Sequence, residues 1–128
     1  MKIKSLRLIG LAVALLVGNS VALRAADALK EDTGLVSKLI GALEKSDYEA
    51  FVADGEVPFK QLKREQFEAV AAKVGPKLQG GHDLTYLGEL KQKGYRVTLW
   101  RVSFTDGSDD ALATLSIKDG KVGGFFIR

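Results

Sequence analysis

The sequence predicts an α+β protein in which amino-terminal helices pack on a curved, antiparallel, four-stranded meander. Three observations carry that expectation. Apolar residues recur at helical spacing as far as about Val74 and alternate from Leu84 onward. The turn pairs Lys93-Gly94, Asp106-Gly107 and Asp119-Gly120 divide the second half into four β-prone runs. Turns that short join neighbouring antiparallel strands, and helices followed by such a sheet make an α+β fold.

The first segment reads as an export signal. Lys2, Lys4 and Arg7 precede the uncharged apolar run Leu8 to Val17, and Gly18, Asn19 and Ser20 break it ahead of small residues. Cleavage fits after Ala22 or after Ala25, and the second is preferred, giving a signal peptide over 1–25 and one domain over 26–128. The run is shorter than the ~20 residues of a membrane span, so no stable span is expected after cleavage. The expected location is the periplasm or the exterior.

Removing 1–25 changes the charge. The chain carries 19 basic and 16 acidic residues, a net of +3. Lys2, Lys4, Arg7 and Arg24 leave with the signal, so 15 basic residues then face 16 acidic ones, a net of −1. The basicity belongs to targeting and gives no reason to expect nucleic acid as a partner. No cysteine is present, which excludes disulfides, a thiol nucleophile and thiolate metal sites.

Within the domain, Leu35, Val36, Leu39, Ile40 and Leu43 form one helical stripe that ends near Lys45. Gly34 and Gly41 would admit a close neighbour. Ser46-Asp47-Tyr48-Glu49 fits a capping box, with Ser46 as the cap of a short helix through Ala53. Asp54-Gly55 would end that helix with a left-handed residue, and Pro58 implies an extended connector. A third helix is expected from about Lys63 to Val74, with Phe67, Val70, Ala71 and Val74 on one side and Gly75-Pro76 closing or bending it.

Leu84, Tyr86 and Leu90 mark the first strand and Tyr95 to Phe104 the second. Ala111, Ala113, Leu115 and Ile117 mark the third, and Val122 to Ile127 the fourth. The second strand is apolar on both parities, so either a bulge switches its faces or both faces are partly covered. Three helices cannot cover both faces, and a homodimer through the sheet is the expected remedy.

The stretches LIGALEKSDYEAFVAD, LKREQFEAVAAKVGPKL, GYRVTLWRVSF and LSIKDGKVGGFFIR resemble short exported bacterial domains of unknown function with the nuclear transport factor 2-like (cystatin-like) cone fold. The resemblance spans nearly all of residues 30 to 128. It implies a cone-shaped α+β domain from a group that includes ketosteroid isomerase and many noncatalytic binding domains, so fold alone does not choose an activity.

Candidate chemistry is sparse. His82 is the only histidine and Asp83 follows it, but adjacent strand residues point to opposite faces, which argues against a catalytic pair. Asp106, Asp109 and Asp110 crowd one loop without the spacing of a calcium site, so no metal is expected. Tyr86, Tyr95, Arg96, Trp100 and Arg101 fall in the first two strands. Aromatics beside an arginine suit a carboxylate-bearing ligand, and Tyr86, Trp100 and Arg101 are the candidate ligand residues. Arg101 shares parity with Val97 and Leu99, which would let it face the cone. Gly123-Gly124 reads as a bulge or close backbone approach, not a phosphate loop.

The expected role is therefore an exported, noncatalytic module that binds a small apolar or anionic ligand or a protein, without a cofactor. The alternative is a small-molecule isomerase or dehydratase with Asp83 or His82 as general base.

Overall fold

The computed structural model describes residues 28–128, and the expected signal peptide of 1–25 lies outside them. The chain divides into two compact units at Leu35/Val36. In the first, the described residues 28–35 are helical, and the Thr33 hydroxyl donates to the Leu29 carbonyl at 2.7 Å.

The second unit contains four helices and then four strands. They are α1 (residues 36–45), α2 (Tyr48–Val52), α3 (Val57–Lys60), α4 (Arg64–Gln79), β1 (His82–Gln92), β2 (Tyr95–Phe104), β3 (Ala111–Lys118) and β4 (Lys121–Ile127). The strands form one antiparallel sheet in the order β1-β2-β3-β4. Val36, Leu39, Ile40 and Leu43 of α1 are almost fully buried, as their spacing requires.

Local chemistry departs from expectation at several points. Ser46 does not cap α2; it ends α1 in the left-handed region, with φ at 54°. Its amide donates to Leu43 and the Asp47 amide donates to Ala42, the paired bonds that close a helix carboxyl end. The cap of α2 is Asp47, whose carboxylate accepts from the Ala50 amide at 3.1 Å. Gly55 is not left-handed; it forms a parallel bridge to Val122, flanked by bonds from Glu56 to Val122 and from Val122 to Asp54. The connector at Pro58 is the helical turn α3, because a first-turn proline lacks only an amide that would have no helical partner.

α4 continues past Pro76 to Gln79. The carbonyl that Pro76 leaves without a donor belongs to exposed Ala72, where water can serve it. A Cβ at Gly41 would meet nothing within 4 Å, whereas at Gly75 it would lie 3.1 Å from the Leu43 carbonyl. The helix approach that small residues permit is therefore between α1 and α4 at Gly75.

The turns β1–β2 and β3–β4 have two consecutive positive φ residues each, Lys93-Gly94 and Asp119-Gly120, the geometry that matches strand twist in tight hairpins. β2 pairs with β3 without a register shift. The bulge lies instead in β1, between Tyr86 and Gly88, so Leu84 and Tyr86 share a face while Leu90 sits on the other. The helices cover one face, where Thr98, Trp100 and Val102 of β2 and Ala113, Leu115 and Ile117 of β3 are buried. The opposite, outer face carries Leu90, Val97, Leu99 and Phe126, with Phe126 68% exposed. Val97 is buried there, while Leu90 is 46% exposed.

Candidate functional site

α4 presents two stripes. Phe67, Ala71, Gly75 and Leu78 are buried against the core. Ala69, Val70, Lys73, Val74 and Lys77 repeat at i, i+1, i+4, i+5 and i+8, and they form one wall of a groove of about 590 Å³. The other wall is the sheet rim. Register brings together the end of β2, the start of β3 and the end of β4, since Val102 pairs with Ala111 and Ala113 with Ile127. Reciprocal bonds between Leu112 and Arg128, at 2.7 and 3.0 Å, hold the last residue there.

The groove has an apolar floor of Val70, Val74, Phe104, Ala111 and Ile127. Lys73 and Lys77 stand on the helix wall, with Asp109, Asp110 and Arg128 on the rim. The Lys77 ammonium lies 5.9 Å from the centre of the Phe104 ring. A smaller recess of about 170 Å³ shares Val70 and Ile127 with the groove and reaches the buried residues Leu43, Phe51 and Phe67. Phe51 binds that region together, with ring centroids 5.0 Å from Phe67 and 6.0 Å from Phe125.

The residues singled out in the sequence occupy other places. His82 and Asp83 lie on opposite faces of β1, opposite Phe104 and Ser103 respectively. His82 is half-buried with Nδ1 3.2 Å from the Leu78 carbonyl, and Asp83 is exposed. Tyr86 and Trp100 do meet, edge to face at 5.3 Å on the inner face. Trp100 is buried, and its indole N–H donates to Thr98 at 2.9 Å, so it serves the core. Arg101 is exposed on the outer face and reaches Thr85 at 3.4 Å. It does not face the cone, and it does not join Tyr86 and Trp100 in one site. The parity it shares with Val97 and Leu99 is that of the outer face.

Asp106 accepts from the Ser108 hydroxyl at 2.6 Å and from its amide at 2.8 Å, and these bonds hold its carboxyl below the usual range. That is an aspartate turn built for its own loop. Among the described residues, no three metal-ligating side chains converge, and no helix is long and apolar enough to cross a membrane.

Sequence reading placed Val70 and Val74 on one side of α4 with Phe67 and Ala71, without separating the groove stripe from the buried one. The signal for a groove was the placing of Lys73 and Lys77 on the same stripe, since a stripe that mixes valine with lysine fits a boundary better than an interior.

No protein-family model matches the sequence, and no curated protein matches it. Among solved structures, the chain is similar to an uncharacterised cystatin-fold protein from Novosphingobium aromaticivorans, at 16% identity over 74% of this chain and 95% of that one, with a TM-score of 0.39. It is also similar to TerC co-crystallised with polyporic acid, at 14% identity over 77% of this chain and 90% of that one, with a TM-score of 0.40. The likeness is one of fold alone.

Proposed function

We propose that this protein is an exported, noncatalytic binding module that holds a small, partly apolar molecule in the groove between α4 and the sheet rim. The observation that carries the reading is the 590 Å³ groove itself, an apolar floor edged by charged side chains. Its volume falls within the ~300–1,000 Å³ of small-molecule sites, which combine apolar lining with a few polar groups. The isomerase or dehydratase reading has less support. It needs a base inside an apolar pocket, whereas Asp83 is exposed on the outer face and neither Asp83 nor His82 lines the groove.

A homodimer through the outer face belongs to the same proposal. Leu90 and Phe126 are 46% and 68% exposed on that face. Apolar groups on an uncovered sheet face favour a second copy of that face in an isologous interface.

The test is native mass spectrometry on protein purified gently from the producing cells. A reproducible small added mass that disappears in Val74→Arg is the expected result. A bare mass for the wild type, in protein that also takes up no small apolar acid when offered one, contradicts the reading.

A further inference from the structure

Resting on that reading, we infer that the groove is built for a zwitterion bearing one large apolar group, a free amino acid with an aromatic or large aliphatic side chain. The groove carries charges of both signs, and on the rim Arg128 stands with the two aspartates. Lys73 and Lys77 project from α4 at i, i+4 spacing, and Asp109 and Asp110 stand on the β2–β3 loop across the floor. None of these four groups makes an ion pair among the described residues, and the Lys77 charge also acts on Asp106 in that same loop. Two lysines suit a carboxylate and two aspartates suit an ammonium, and an α-amino acid offers both on one carbon. A simple fatty acid offers no cation to Asp109 and Asp110.

The third substituent has a place of its own. The recess opens beside Val70 and Ile127, the two residues it shares with the groove, and is bounded by the rings of Phe51, Phe67 and Phe125. Its 170 Å³ is close to the ~150 Å³ of an engineered apolar cavity that takes up benzene. One phenyl ring or a leucine-sized branch fills it, and offset or edge contacts with three rings favour an aromatic group. Carboxylate to α4, ammonium to the loop and side chain to the recess give the site a handed arrangement, so the L and D forms bind unequally.

Amide NMR titration of the intact protein with L-phenylalanine and three analogues tests this directly. Phenylalanine is expected to shift the amides of Val70, Val74, Ala111 and Ile127. 3-Phenylpropionate lacks the ammonium, phenethylamine lacks the carboxylate and glycine lacks the side chain; each is expected to bind at least tenfold more weakly. Alanine at both Lys73 and Lys77 weakens phenylalanine about tenfold and does not weaken phenethylamine, which has no carboxylate to lose a partner and is repelled by the lysines. If 3-phenylpropionate or phenethylamine matches phenylalanine at the groove, the zwitterion is wrong and the groove stands as a site. If phenylalanine gives no shifts while a co-purified molecule of another class fills the groove, the inference fails alone. If nothing shifts these amides and the purified protein is bare, the groove reading fails with it.

Discussion

The Tyr95 hydroxyl donates to the Glu56 carboxylate at 2.7 Å, joining the outer face of the sheet to the segment that runs along edge strand β4. The hydrogen bond and the adjacent negative charge both favour the protonated phenol, and its pKa is raised above the ordinary 10.0. A raised pKa means that the folded state keeps a proton the unfolded chain releases. The resulting stability is complete below about pH 10 and is lost as pH rises from there through the native value. Phenolate absorbance should therefore show one tyrosine titrating late, and Glu56→Gln should bring it earlier. An unchanged titration in Glu56→Gln would show that the carboxylate is not the cause.

The same ring explains Gly123. That residue is the extra one in the β3–β4 ladder, between the pairs Ser116–Gly124 and Ile117–Val122, and a Cβ there would overlap the Tyr95 ring. Gly123→Ala should cost about 1–3 kcal/mol, the range for forcing extra atoms into a packed site. Tyr95→Leu in the same chain should recover part of that loss in urea denaturation. Equal costs with and without Tyr95 would mean that the glycine serves backbone conformation alone.

Ser46 holds a left-handed conformation without the freedom of glycine. Ser46→Gly should stabilise the fold by about 1 kcal/mol, the steric cost of a Cβ in that region. For a domain of about 100 residues this corresponds to a rise of roughly 4–8 °C in Tm. A fall in Tm would show that the serine side chain contributes more than its backbone costs.

For the outer face, Leu90→Arg with Phe126→Arg places two charges where the apolar groups are 46% and 68% exposed. Sedimentation should give a dimer for the wild type and a monomer for the double variant, which still folds because neither side chain is buried within one protomer. A monomeric wild type at high concentration contradicts the dimer.

The sheet was legible because its signals are local. Lys93-Gly94 and Asp119-Gly120 announce tight hairpins, and Ala111, Ala113, Leu115 and Ile117 fall on one strand parity. The stripe of α1 was equally readable. What escaped depended on tertiary setting. Leu87 looks like any strand residue, yet it is the bulge that sends Leu90 to the outer face. Asp47 and Ser46 are both good caps, and the choice falls to Asp47 because it has the extended backbone a cap needs, while Ser46 is held in the left-handed conformation that ends α1. Pro76 reads as a stop unless the exposure of Ala72 is known. The groove was hidden for the same reason: residues 70, 74, 104, 111 and 127 have no common period, and only the sheet register and the line of α4 bring them together.

The most direct measurement is to map amide shifts on the protein while titrating whatever molecule it releases on denaturation or, if it releases none, a mixed panel of small aromatic and aliphatic acids and amino acids. Shifts centred on Val70, Val74, Ala111 and Ile127 are expected. Shifts centred on Leu90, Val97 and Phe126, or around Tyr86, would place the binding surface elsewhere and contradict the groove between α4 and the sheet rim as the functional site.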